Sequence, residues 1–332
     1  MSFVKKCVVA GLAAALTIGT AACADESAGP EPAAEGGSAD KTLSISATGV
    51  DSLPFMAILQ VGIDKGWFQE KGLEVDLFSG GGGGNTLRVV TSGDADLAIA
   101  GNTSVLLAAQ QPSSNLTVIA PWFQLNDFAW IAPPGRTLDN NSVLGFSSAG
   151  SSTELLVKGL EKEMGVRAQA VGGMGDNWTA AKADQITAGW AMQPFIAAKE
   201  AEENAEVLVN SRDILGDLPA DLVAVNNDYA EANPDNLKAF FEVADRLNEW
   251  VVAEPDAAAA EIAPLVGVSE DVMKASLAAT PDLAKGYSLT VDKDGLENLS
   301  NLMVEAGQIS EPVDWATVLD QQYLPEDARA TL

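Results

Sequence analysis

Whatever chemistry this 332-residue chain performs, it performs without histidine, which is absent, and with only two cysteines, Cys7 and Cys23. Ser-His-Asp and Cys-His catalysis, imidazole pH switches and His-ligated zinc are thereby excluded. Beyond residue 23 there is no thiol for a disulfide or a metal cluster. What remains is a set of Ser, Thr, Asn, Asp and Gly residues, each group standing just after a short apolar run. They are Asp51-Ser52, the glycine run 80–84 ending at Asn85, Gly101-Asn102-Thr103-Ser104, residues 147–153, and residues 172–177. Such side chains cap helices or donate to an acceptor-rich ligand, and glycine leaves backbone amides uncovered. The candidate ligand contacts are Asp51, Ser52, Gly82, Gly83, Asn102, Thr103, Ser148, Ser151, Ser152 and Asp176. Trp122 and Trp190 join them from predicted strand ends, and Trp178 is of the same kind. Asp51, Asp127 and Asp176 could take an amino group or a heterocycle N–H, although carboxylates in so acidic a chain are commonly surface groups. Arg88 alone among the arginines falls near a predicted ligand loop, and it reads as solvated or bridging. The glycine run is not a nucleotide loop, because Asn85-Thr86 follows where a P-loop needs Lys and then Ser or Thr. No catalytic residue, metal-ligand set or cofactor motif emerges.

Charge and the N-terminus narrow the setting. The 19 Lys and Arg against 47 Asp and Glu give a formal charge of −28. A field of that sign repels phosphate backbones, so nucleic acid is not an expected partner. Lys5-Lys6, an apolar run over 7–19 and the small residues Thr20-Ala21-Ala22 describe a signal peptide over 1–22. Small residues directly before Cys23 resemble the bacterial lipobox, which makes Cys23 the expected lipidation site and membrane anchor. Residues 23–40, rich in Ala, Gly, Pro, Ser and acid, read as a disordered tether. The expected location is extracytoplasmic, on the cell membrane.

The elements that must position these residues follow an α/β rhythm. Strands are expected at 43–47, 73–78, 95–100, 116–120 and 129–132, with helices at 54–65, 86–91 and 103–110. Pro133-Pro134-Gly135 breaks the chain. The rhythm restarts with strands at 143–146, 168–171, 188–192 and 222–226, and helices at 152–164 and 178–185. Asn233-Pro234-Asp235 reads as a capped helix start, followed by Leu237, Phe240, Phe241, Ala244, Leu247 and Val251 at helical spacing. This predicts one lobe from 41–133 and 221–332 and a second from 134–220, with a hinge near Pro133 and residues 218–222. In open α/β sheets ligands sit beyond the carboxyl ends of the strands, which is where the polar junctions fall.

Several segments, in order, resemble the solute-binding proteins of ABC importers that serve taurine, alkanesulfonates, nitrate and thiamine-pyrimidine precursors. They are residues 54–76 (PFMAILQVGIDKGWFQEKGLEVD), 92–98 (SGDADLA), 145–152 (GFSSAGSS, where the family has its second-lobe anion loop) and 227–235 (NDYAEANPD). Residues 184–195 depart from the family, lacking the usual Gly and Asp before the last strand of the second lobe, which weakens any transfer to Trp190 and Gln193. The resemblance implies a two-lobed, type II periplasmic-binding-protein-like α/β fold, each lobe a mixed sheet flanked by helices, with a ligand cleft between the lobes. It further implies a monomer without cofactor that captures a small polar organic solute, sulfonate- or taurine-like, for an ABC permease and its ATPase. A thiamine-pyrimidine precursor or another heteroaromatic solute is the alternative ligand. From other classes, an extracytoplasmic sensor or a carboxylate-dependent enzyme using Asp51 and Asp176 stays open. Pyrimidine-synthesising relatives depend on a histidine and a cysteine cluster that this chain lacks.

Overall fold

Alternating apolar residues at Leu43, Ile45 and Ala47 bury one face of β1 (Thr42–Ala47), an inner strand of the first sheet in a computed structural model that describes residues 41–111 and 113–332. The expected leader, the Cys23 anchor and the tether over 23–40 lie outside the described residues. Parallel to β1 run β2 (Glu74–Ser79) on one side and β3 (Leu97–Gly101) on the other. The sheet continues through a strand from much later in the chain, so its order is β2-β1-β3-β10-β4, with β4 at Leu116–Pro121 and β10 at Asp221–Asn226. β10 is antiparallel to both of its neighbours and pairs Val223 with Ile99.

A second assembly repeats this wiring. β5 (Ala129–Ala132) lies between β8 (Gly189–Ala191) and β9 (Glu206–Asn210), antiparallel to both. β6 (Val143–Phe146) pairs in parallel with β7 (Arg167–Ala170) and is tied to the β8 segment by a parallel bridge from Leu144 to Ala188. The resulting order β7-β6-β8-β5-β9 matches β2-β1-β3-β10-β4 in direction at every position. In each assembly the antiparallel strand is the one that has just crossed from the other. The crossings are residues 122–128 and 211–220. The break at Pro133-Pro134-Gly135, expected to separate the lobes, is a turn between β5 and β6 inside the second assembly. Pro-Pro-Gly dictates a change of chain direction, and here it marks no boundary.

Helices cover both faces. Pro54–Asp64 buries Phe55, Ile58, Leu59 and Gly62 and lies against the 20-residue helix Pro234–Ala253. The two approach closely enough that a Cβ on Gly62 would stand 2.9 Å from Leu247 Cδ1. The long helix starts as expected with Pro234 in its first turn, but the Asn233 side chain makes no capping bond. Capping is done one helix earlier, where Asn226 Oδ1 accepts from Asp228 N at 3.0 Å and Tyr229 N at 3.4 Å. The helix Ser152–Met164 begins at Ser151, whose Oγ accepts from Glu154 N, and ends at left-handed Gly165. No helix among the described residues is long and apolar enough to cross a membrane.

Candidate functional site

Three of the five polar junctions, the glycine run, Gly101–Ser104 and residues 147–153, lie against one another. At the carboxyl end of β3, the helix Asn102–Ala109 starts with Asn102 and Thr103 fully buried. Asn102 Oδ1 accepts from Thr103 N, from Thr103 Oγ1 at 2.9 Å, and from Ser152 Oγ of the second assembly at 2.8 Å. Its Nδ2 donates to Pro219 O at 2.6 Å in the second crossing. Ser104 Oγ donates to Gly150 O at 3.2 Å. Two helix N-termini, one from each assembly, therefore meet at Asn102 and Ser152. Asn102 spends its side-chain oxygen and one amide hydrogen on these bonds, which clasp the assemblies and the crossing together.

Close packing and openness alternate along the glycine run. A Cβ at Gly80 would stand 2.1 Å from Thr86 Oγ1, and one at Gly83 would stand 2.9 Å from Ser104 Oγ. Gly81 and Gly82 have positive φ, and Gly82 faces open space. Thr48 and Thr86 share a 2.9 Å hydroxyl pair that ties the loop after β1 to this run. Arg88 is exposed.

In the second assembly the serine loop is occupied by the chain's own groups. Ser151 Oγ donates to Ser148 O at 2.7 Å, and Thr153 Oγ1 engages the hydroxyls of Ser147 and Ser151. Glu154 Oε2 accepts from Gly150 N at 2.7 Å, and its other oxygen pairs with Lys158 at 3.1 Å. An internal carboxylate thus sits at the amide where an anion-binding loop would receive its ligand. Ser148 itself is exposed. Asp51 and Asp176 are also exposed; Asp176 accepts from Gly173 N at 3.1 Å as a capping contact. Half-buried Ser52 turns back towards Gly49 O at 3.5 Å.

The three tryptophans are built in. Trp122, expected on the cleft wall, is 2% exposed; its Nε1 donates to Phe55 O at 3.0 Å and its ring stacks on Phe240. Trp178 lies in the second turn of the helix Met174–Lys182, buried, with Nε1 donating to Glu203 Oε1 at 2.9 Å. Bonds from Lys182, Lys199 and Trp178 pull the Glu203 pKa down to about 2. Trp190 is half-buried, donates to Gly172 O at 2.9 Å, and leans its ring on Phe128 of the first crossing.

The crossings hold what the candidate set did not include. Phe55, from the first turn of its helix, stacks on Phe123 at 4.2 Å, and Phe123 meets Tyr287 edge-on at 5.5 Å. The crossings are laced to each other by Ala220 N donating to Phe123 O, Ser211 Oγ donating to Asn126 Oδ1, and Asn126 Nδ2 donating to Gly216 O. Gln124 bonds the 286–292 segment, and Asp217 takes both Arg212 and Lys285. Between Asn126 and Phe128, Asp127 is partly open to solvent yet deep enough that desolvation pushes its pKa up to about 7, against the pull of Arg212. Burial, and the nearby Asp127 charge, raise the Tyr287 hydroxyl as well. Asp221, which starts β10 opposite Gly101, is pushed up to about 7 by burial.

Comparison with known proteins follows this geometry. The family model described as NMT1/THI5 like matches residues 54–258. No curated protein matches by sequence. A solved ligand-binding component of an ABC-type import system from Staphylococcus aureus, with zinc bound, superposes with TM-score 0.72 at 15% identity, over 87% of this chain and 99% of that one. The alkanesulfonate-binding protein SsuA from Xanthomonas axonopodis pv. citri, bound to MOPS, gives TM-score 0.66 at 16% identity, over 84% and 98%. The desulfurization enzyme DSZB gives TM-score 0.62 at 15% identity, over 85% and 97%. The architecture is that of the periplasmic binding proteins. With the model spanning residues 54–258 on this fold, the chain belongs to the NMT1/THI5-like family.

Proposed function

We propose that this protein is an extracytoplasmic solute-binding protein of an ABC importer. It captures a small polar organic solute between its two assemblies and presents the closed form to a permease and its ATPase. The observation that carries the reading is the meeting of Asn102 and Ser152 at the carboxyl ends of two identically wired sheets. In such sheets that end is the ligand end, and the fold is shared with import-system and sulfonate-binding components. The lobes are residues 41–121 with 221–332, and residues 129–210, joined by the two crossings. The solute is sulfonate- or taurine-like, with a thiamine-pyrimidine precursor as the competing class. Of the original set, Asp51, Gly82, Ser148, Asp176 and the half-buried Trp190 keep surface open to it. Cys23 carries the lipid anchor, and the protein works as a monomer. A catalytic role draws on the likeness to DSZB, but residues 41–332 have neither cysteine nor histidine to form a nucleophile and base.

Thermal unfolding against taurine, ethanesulfonate, longer alkanesulfonates and aminopyrimidines tests the reading. A ligand at about a thousand times its dissociation constant adds roughly 4 kcal/mol, which raises the midpoint by several degrees. Silence from the whole panel would remove this solute assignment.

A further inference from the structure

The end of the first sheet that faces away from the interlobe junction carries a cavity of its own. β4 is the outermost strand there, and the C-terminal segment returns beside it. Val118 bridges Leu319 in parallel, and Asp320 N donates to Val118 O at 2.9 Å. Between this segment and the short helix Asn227–Ala232 lies a cavity of about 210 Å³. One water needs roughly 15 Å³ of such space, so there is room for an organic ligand. The Thr117–Val225 pair on its wall stands four residues along β10 from the Asp221–Gly101 pair at the junction end, about 13 Å away.

The lining gives this cavity a chemistry. Its floor is apolar, made by the buried side chains of Ile119, Val225 and Ala230. Its rim carries two carboxylates, Glu231 and Asp320, and no Lys or Arg lines it. Glu231 is exposed and forms no ion pair among the described residues. Asp320 accepts only from its neighbour Gln322, through N at 3.1 Å and Nε2 at 2.6 Å. Arg329, on the same segment, is turned to the carbonyls of Gln322 and Leu324. Tyr323 is 7% exposed, yet its hydroxyl has no hydrogen-bond partner among the described residues and is not sealed from solvent. Such a hydroxyl is set to bond whatever enters the cavity. Burial and the nearby Asp320 charge raise its pKa, so it stays neutral and can accept from a cation. The described residues hold no cluster of three metal-ligating side chains, and an apolar floor offers nothing to a hydrated metal ion.

We infer that this cavity is a second ligand site, separate from the interlobe junction, for a small primary alkylammonium ion. The ammonium group donates to Glu231, Asp320 and the Tyr323 oxygen, and the alkyl chain lies on Ile119 and Val225. The strongly acidic chain raises the local concentration of such a cation. This site goes beyond the solute-binding reading and does not depend on it.

Amide NMR spectra of the purified, isotope-labelled protein, titrated with n-butylammonium chloride at constant ionic strength, test the site. Saturable shifts should appear around Thr117, Val225, Glu231 and Tyr323, and n-butanol and sodium chloride should produce none there. Glu231→Gln and Asp320→Asn should each weaken the binding about ten-fold, the loss expected for one charge-assisted hydrogen bond. Tyr323→Phe should weaken it by a few-fold. An unchanged spectrum away from the cavity shows that each variant is folded. No saturable shift at these amides, equal shifts from n-butanol, or binding that survives both carboxylate substitutions overturns the inference. So does a response to calcium chloride that n-butylammonium does not reproduce. Each of these outcomes leaves the solute-binding reading standing.

Discussion

Asp127 and Asp221 tie the protonation of the ligand-free protein to its stability. Both titrate at about 7, against an ordinary value of 3.8, and desolvation is the main cause in each. Between about pH 4 and 7 the native state therefore holds protons that the unfolded chain has released. Stability must fall as pH rises through that window and then level off. The groups around Asp127 that bear on this are Arg212, which opposes the shift, and Tyr287, which stays neutral throughout. Asp127→Asn should leave stability at pH 3 nearly unchanged and raise it at pH 8 by on the order of 2–4 kcal/mol. Equal effects of D127N at the two pH values would contradict the assignment. Of these residues, Asp127 was named in the sequence beside Asp51 and Asp176 as able to take an amine, and nothing there set it apart from them, because composition does not report burial. Tyr287 was not visible at all, since it reaches Phe123 from 164 positions away. Trp122 misled for a related reason: its place after a strand is a cleft position only if its ring turns outward, and a bond to Phe55 O with stacking on Phe240 turns it inward.

At the scale of elements, the clasp and the caps make separable predictions. Removing the Asn102 amide leaves the Thr103 and Ser152 donors buried without an acceptor. N102A should therefore cost about 2–4 kcal/mol in chemical unfolding. Ser151→Ala removes a cap that has water as a substitute and should cost about 1 kcal/mol. If the two variants were equally destabilised, Asn102 would not be the interassembly clasp. The junctions at Gly101–Ser104 and at 147–153 were legible because strand-ending glycines and capping hydroxyls have local causes. The capping pattern Ser151-x-x-Glu154 was equally local, and it explains why the serine loop came out filled: Glu154, one turn in, reaches back to the Gly150 amide. β9 escaped the sequence reading because Glu206–Asn210 is a short edge strand whose pairing with β5 is set by tertiary contact and not by a strong alternation of its own.

For the whole molecule, the repeated wiring matters more than any single contact. Two sheets of the same order, each completed by a strand from across the junction, share crossings at 122–128 and 211–220, and under the proposed function these crossings are the hinge. The α/β rhythm and the order of the family-like segments made this fold readable. The boundary did not follow, because Pro133-Pro134-Gly135 has the same local signature whether it ends a lobe or turns the chain between two strands of one. Closure around a solute should reduce the radius of gyration in small-angle scattering, and an unchanged profile under saturating ligand would argue for a preformed site. The most direct test of the account is a titration calorimetry experiment on the purified protein with taurine and an aminopyrimidine. One of them should bind saturably at one molecule per chain. No heat from either compound would contradict the proposed solute class.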